Sequence, residues 1–300
     1  METAEDNIED FRAVGRIAAR IREESKRLIM VGEPLLEIAE TVEQMIIENG
    51  CRPAFPLNIS INDIAAHYTP EIECKAALEE NDLVKIDIGV MLRGAIADTA
   101  YTVDLSGKNK TLVEASERAL ENAIAAIKPG ARIGEIGGII EETITGYGFK
   151  PISNLTGHKI ETGLLHAGVE IPNVKSKDPY EFKVGEIFAV EPFATNGTGY
   201  VEDQEQVEIF SVYAPAPIRM RQSRRIAEYA IMNYGALPFA ERWIRKEFQS
   251  RLLVSAALKE LLESHFIKGY PVLREAGRGL VSQAEHTILI TADGNEVLTK

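Results

Sequence analysis

Two of the chain's five histidines, His158 and His166, fall in one glycine-broken stretch, NLTGHKIETGLLHAG at 154–168. Their eight-residue separation is not the i, i+4 pair of a zinc-binding helix, so a one-metal HExxH peptidase is disfavoured. Four acids sit in equally odd surroundings. Asp87 and Asp98 lie among apolar residues in LVKIDIGVML and AIADTAYTVDL, Glu191 follows IFAV and precedes Pro192, and Glu285 opens EHTILI. A residue before proline is biased to extended backbone, which puts Glu191 at a strand end. Period two places Glu285, Thr287 and Leu289 on one face of the last run and His286, Ile288 and Ile290 on the other.

The two runs that carry the aspartates flank Arg93-Gly94 and read as a hairpin. A two-residue turn at Leu92-Arg93 or Arg93-Gly94 puts Asp87 and Asp98 on the same face, directly or diagonally opposite; a three-residue loop separates them. Like charges facing across a ladder repel, so this arrangement calls for a cation between them. Taken singly, each of the two glutamates reads as a solvated strand residue, and the lesser alternative for the two aspartates is that they turn separately to water. Together, two Asp, two Glu and one His form a mixed oxygen and nitrogen set that suits two divalent metals, four negative charges matching two doubly charged ions. His158 is the better imidazole ligand, because Gly157 before it permits irregular backbone close to a metal. His166 is then free for another task.

The elements that must position these residues are legible in the apolar spacing. Phe11, Val14, Ile17, Ala18, Ile21 and Leu28 recur at helical intervals, and a second helix runs from Pro34 to Asn49-Gly50. After the hairpin come helices from Thr111 to Lys128, stopped by Pro129-Gly130, and from Ile133 to Thr145. Short apolar runs and glycines between Pro151 and Phe210 predict strands and loops. RRIAEYAIMNY, FAERWIRKEF and LLVSAALKELLESHF return to helical spacing before a last strand in AEHTILITADG. This order is α+β rather than alternating βαβ, and predicts one catalytic domain over 1–300 with a helical insert at about 215–270.

At 300 residues and net charge -13 the chain can bury a sizeable core and is no general binder of nucleic acid or anionic membrane. METAEDNIEDF has no basic and apolar leader pattern, and no apolar run approaches a membrane span, which points to a cytoplasmic protein with no membrane partner. Cys51 and Cys74 read as reduced thiols rather than as a disulfide or a nucleophile.

The segments AAHYTP, KIDIGVMLRGAIADTAYTV, GHKIETGLLHAG, FAVEPFATNGTG and SQAEHTIL resemble the methionine aminopeptidases in order and spacing from about Phe11 onward. The 94-residue interval from Glu191 to Glu285 leaves room for the insert of the type II enzymes, and the short N-terminus resembles the archaeal ones. The resemblance implies a pita-bread fold with a winged-helix-like insert. It implies that Asp87, Asp98, His158, Glu191 and Glu285 hold two divalent ions (Co, Mn, Fe or Zn), with Asp98 and Glu285 bridging. It assigns His67 and His166 to substrate contact and transition-state stabilisation and Phe55 to the methionine pocket, with Leu165 and Tyr270 as further pocket candidates. VYAPAPIRM departs from the family in having no histidine where some type II enzymes place one. The implied activity is removal of initiator methionine from nascent chains with a small second residue, by a monomer: water attacks the scissile carbonyl, Glu191 relays the proton, and the free amine restricts action to the first residue.

Two rivals stand beside this reading. A prolidase or aminopeptidase P could share the ligand set but usually carries an additional N-terminal domain, and most of the 86 residues before Asp87 are already used by helices. A non-catalytic paralogue would have lost ligands, and none is lost. His265 reads as a helix cap or surface residue, His286 as packing behind the metal face, and GTG at 197–199 as a loop rather than a phosphate site. Finally, Arg219, Arg221, Arg224, Arg225, Arg242, Arg245, Lys246 and Arg251 outnumber Glu228, Glu241 and Glu247 within the insert. They read either as a solvated face paired with acids elsewhere, the default for an acidic chain, or as a transient docking face for ribosomal RNA.

Overall fold

Helix α1 (Ala4–Ser25) and the single 3-10 turn after it lead to α2 (Leu35–Glu48); the computed structural model describes residues 4–300. The apolar stripe expected of the first helix is buried at Phe11, Val14, Ala18 and Ile21, against Ile38, Val42 and Ile46 of α2. Pro34, at φ -67°, caps α2 in extended geometry, and Gly50, at φ 73°, takes the left-handed position just beyond its end. Strands β1 (Arg52–Pro53), β2 (Asn58–Ile61) and β3 (Ile64–Ala66) follow, and then the hairpin β4 (Leu83–Leu92) and β5 (Ala95–Asp104). Leu92 pairs with Ala95, so the turn is Arg93-Gly94. Both turn residues have positive φ, 49° and 92°, as a type I′ turn requires. β1, β2 and β5 all pair antiparallel to β4, and α1 and α2 cover that sheet.

A second half repeats the plan. Helices α3 (Lys110–Ala126) and α4 (Ile133–Gly146) share a core with Ile171, Phe188 and Ile288 from the strands beyond. Those strands are β6 (Lys150–Pro151), β7 (Thr156–Ile160), β8 (Glu170–Pro172), β9 (Ile187–Val190) and β10 (Phe193–Thr195). The long strand β11 (Val201–Val212) comes next.

The chain then leaves the sheet for α5 (Arg221–Tyr234), β12 (Phe239–Ala240), α6 (Glu241–Glu247) and α7 (Arg251–Glu263), and returns in β13 (Ile267–Glu275), which pairs with β11. The excursion therefore occupies 213–266, and Tyr270 belongs to the sheet. It has an apolar core of its own in which Phe210 and Ile267 join Ile226, Phe239, Ile244, Val254 and Leu258. Strands β14 (Val281–Gln283), β15 (His286–Thr291) and β16 (Gly294–Val297) complete the chain. β15 pairs with β9, and β9 with β7, so the second large sheet runs β16-β15-β9-β7-β8.

Among the described residues no helix is long and apolar enough to cross a membrane. Cys51 and Cys74 are free thiols.

Candidate metal centre and substrate cavity

The turn register decides how the aspartates meet. β4 and β5 pair Asp98 with Gly89 and Asp87 with Ala100, so the two carboxylates lie diagonally on one face. Gly89 stands between them for a steric reason: a Cβ there would lie 2.3 Å from the Phe55 ring, which rests on the strand.

Hydroxyl groups join the hairpin to the strands that carry Glu285. Thr287 Oγ1 accepts from the Asp98 amide (2.8 Å) and donates to the Asp98 carbonyl (2.7 Å). Thr99 Oγ1 donates to the Glu285 carbonyl, and the Glu285 amide donates to the Ala100 carbonyl. Thr102 Oγ1 donates to the Gln283 carbonyl and accepts from its amide. These pins hold Asp98 of β5 beside Glu285, which lies in the break between β14 and β15.

His158 enters from β7, where the pairing with β9 sets it opposite Ala189, close to Glu191 just past the end of β9. Gly157 is needed here for close strand packing rather than for irregular backbone, since a Cβ would lie 2.5 Å from the Ala189 carbonyl oxygen. Glu161 and Leu164 then form a tight bridge, and the Lys159 amide donates to the Val169 carbonyl. This reversal brings His166 back beside His158, with ring centroids 4.4 Å apart.

Asp98, His158 and Glu285 are buried and offer ligand atoms all within 4.8 Å of one another. His158 Nε2 is 3.4 Å from Asp98 Oδ2 and 3.6 Å from Glu191 Oε1. These contacts are not ion pairs, because burial lowers the His158 pKa to about 4 and leaves a neutral ring. Burial also pushes Asp87, Asp98, Glu191 and Glu285 upward, and mutual repulsion adds to it at Asp87, Glu191 and Glu285.

Asp87 Oδ1 and Asp98 Oδ1 are buried without a hydrogen-bond partner. Gln283 Nε2 reaches Asp87 Oδ2 and Glu285 Oε2 at only 3.4 Å each. Four converging carboxylates, lone pairs without donors and a neutral imidazole fit divalent cations, which would supply the missing positive charge.

The cluster floors a cavity of about 400 Å³ that also contains Phe55, His67, Leu165, His166 and Tyr270. His67 has φ 63°, in the left-handed region, and its ring packs edge-on to Tyr270 at 5.6 Å. Its Nδ1 lies 3.2 Å from the Pro271 carbonyl. Burial lowers the pKa of both cavity histidines, His166 to about 3 with His158 adding to it, so both are neutral donor and acceptor groups.

Sequence reasoning missed Asn58, Ile209, Pro238 and Lys268 in the cavity wall, and Gln283 beneath it. Gln283 carried a signal, because period two places it on the face of Glu285. Asn58 reaches the cavity only because β2 pairs it with Asp87, and Pro238 only because the excursion folds back over the sheet.

The other singled-out residues lie away from the cavity. His265 is exposed at φ 58° just past α7, and His286 lies behind the cluster with Nδ1 2.9 Å from Thr299 Oγ1. The amides of Thr198 and Gly199 are taken by the buried Glu275 carboxylate, so 197–199 is an internal anchor. The basic residues divide. Arg242 pairs with Glu43, Arg245 and Arg251 with Glu73, and Lys246 with Glu40, while Arg219, Arg221, Arg224 and Arg225 are exposed and their side chains form no salt bridge among the described residues, although the Arg219 amide donates to Glu260 and Arg224 Nη1 to the Ile218 and Arg219 carbonyls.

The sequence pattern of metallopeptidase family M24 matches residues 9–292. A methionine aminopeptidase from Methanocaldococcus jannaschii is 50% identical over 286 residues, 95% of this chain and 96% of that protein. Two solved structures share the fold at low identity. A thermophilic Arx1 has TM-score 0.85 at 16% identity over 98% of this chain and 90% of its own. A prolidase from Pyrococcus horikoshii has TM-score 0.63 at 19% identity over 99% of this chain but only 62% of its own.

Proposed function

We infer how the cavity works from one premise: the chain belongs to metallopeptidase family M24, with the pita-bread fold. It is a metal-dependent aminopeptidase that removes N-terminal initiator methionine. The observation that carries the site assignment is the buried carboxylate cluster, with donor-free oxygens and a neutral imidazole, at the floor of a peptide-sized cavity.

Asp87, Asp98, His158, Glu191 and Glu285 would hold two divalent ions drawn from Co, Mn, Fe and Zn. Bound there, the ions supply Lewis acidity, lowering the pKa of water and polarising the scissile carbonyl. Glu191 is the residue that takes up and returns the proton: it stands at the cavity edge of the cluster, and burial favours its protonated form. His166 and His67 are neutral and donate toward the oxygen that becomes negative in the tetrahedral state. Phe55, Leu165 and Tyr270 give the methionine side chain an apolar wall.

The excursion at 213–266 acts as an insert subdomain of a single catalytic unit, and contributes Pro238 to the cavity. We place the enzyme in the cytoplasm, as a monomer acting on nascent N-termini. Arg219, Arg221, Arg224 and Arg225 are the remaining candidates for contact with ribosomal phosphates, a contact that weakens steeply with salt. Rates on Met-Ala-Ser, Met-Lys and Ala-Pro peptides with metal-reconstituted protein test the activity. Release of methionine from Met-Ala-Ser alone is expected; equal cleavage of Ala-Pro, or turnover surviving exhaustive chelation, refutes it.

A further inference from the structure

Arg242 is the largest fully buried side chain among the described residues and comes from the excursion, not from the sheets around the cavity. Its guanidinium crosses to the catalytic body and pairs with Glu43 of α2. Nη1 also donates to Thr69 Oγ1 (2.5 Å) and to the Pro70 carbonyl (3.2 Å). Thr69 is fully buried and its hydroxyl donates a hydrogen bond to the Leu57 carbonyl at 2.7 Å. Glu43 Oε1 accepts from the Leu57 amide as well, and Oε2 accepts from the Trp243 indole.

Both ends of Leu57 are therefore tied to Arg242 through one intermediary each. Leu57 lies two residues from Phe55 and Thr69 two residues from His67, and both of those side chains line the cavity. The segments are also joined directly, by the Ile59 amide donating to the Tyr68 carbonyl. His67 needs such support, because a side-chain-bearing residue at φ 63° occupies a region that L-residues visit rarely and at a cost. Its ring is held by the Pro271 carbonyl and the Tyr270 ring on the far side.

We propose that Arg242 and Thr69 are positioning residues: through their hydrogen bonds the helical excursion holds His67 in its left-handed conformation and sets Phe55 across the cavity from it. The excursion thereby becomes part of the peptide-binding apparatus, although Arg242 and Thr69 do not reach the cavity. This inference rests on His67 acting on substrate.

The test compares Thr69→Val, Thr69→Ser, Arg242→Lys and His67→Ala, with Thr69→Val also placed in the His67→Ala background. Metal content and folded fraction are measured for each. Thr69→Val is expected to lower kcat/KM by about 10-fold in folded, metal-replete protein, while Thr69→Ser, which keeps the hydroxyl, restores it. Arg242→Lys keeps the charge beside Glu43 but loses the fork that also serves Thr69, and is expected to fall with Thr69→Val. In the His67→Ala background the additional effect of Thr69→Val should shrink clearly below its effect in the wild type, leaving only the part that acts through Phe55. Full additivity of Thr69→Val and His67→Ala, or wild-type kinetics for Thr69→Val, overturns the coupling. An unimpaired His67→Ala variant overturns the role of His67 itself and the coupling with it.

Discussion

Two buried charged groups in this molecule are treated in opposite ways. Around Glu43 the chain supplies its own neutralisation: Arg242 pairs with one carboxylate oxygen, the Leu57 amide donates to the same oxygen, and the Trp243 indole serves the other. Around Asp98 and Glu285 it supplies almost none. Lys85, two residues before Asp87, spends its ammonium on the carbonyls of Asn62 and Val281. The Gln283 amide approaches Asp87 and Glu285 at 3.4 Å and the neutral His158 ring approaches Asp98 at 3.4 Å, and neither brings a positive charge. Where buried charge locks two elements together, both signs are encoded; where it serves chemistry, one sign is left for a bound ion. Desolvating a carboxylate is expensive unless it is paired, so the second group weakens the metal-free fold, a cost that a bound ion would offset.

The contrast is most directly broken with isosteric neutralisation of the cluster. Asp98→Asn is expected to lower turnover on the order of 10³-fold or more, with loss of bound metal, and at the same time to raise the thermal midpoint of metal-free protein. Metal analysis and calorimetry on one preparation check both, and a lowered metal-free midpoint contradicts the idea of an uncompensated cluster. Glu43→Gln is the mirror experiment. It leaves Arg242 buried without its counter-ion and should cost about 3 kcal/mol in urea unfolding, with metal binding kept.

A pH series sharpens the comparison further. The four cluster acids have folded pKa values raised by burial, so the metal-free fold binds protons more tightly than the unfolded chain. Their contribution is fully present below the ordinary carboxylate pKa of about 4 and is lost as pH rises through the raised values toward neutrality. The midpoint of stripped protein should therefore fall relative to that of loaded protein between acid and neutral pH. A gap independent of pH would count against it. The smallest effect is expected at the surface: changing Arg221, Arg224 and Arg225 together to Glu should alter stability by no more than about 1 kcal/mol per residue, because all three are exposed without a salt bridge among the described residues and lose only the Arg224 bonds to the Ile218 and Arg219 carbonyls and the Arg225 contact with Phe248. Ribosome co-sedimentation against salt with that variant separates a docking face from a solvated one.

Much of this was written locally. The helix pairs, the hairpin and the five ligand candidates follow from apolar spacing, turn chemistry and carboxylates stranded in apolar runs, all of which depend on neighbours within a few positions. The spacing also limited how Asp87 and Asp98 face each other to a direct or a diagonal pair, and the turn at Arg93-Gly94 selected the diagonal. Contacts between distant segments were not legible, because they depend on where two chain stretches happen to meet. Gly157 is required by the backbone of Ala189, and Gly89 by the ring of Phe55. Arg242, one of eight similar basic residues in the sequence, differs from Arg221 only because α6 packs it against Glu43, 199 positions earlier. The residue types and their spacing determined which chemistry the chain can perform; the tertiary structure decided which charges are already paired, since burial and pairing are properties of the assembled interior and not of any one segment.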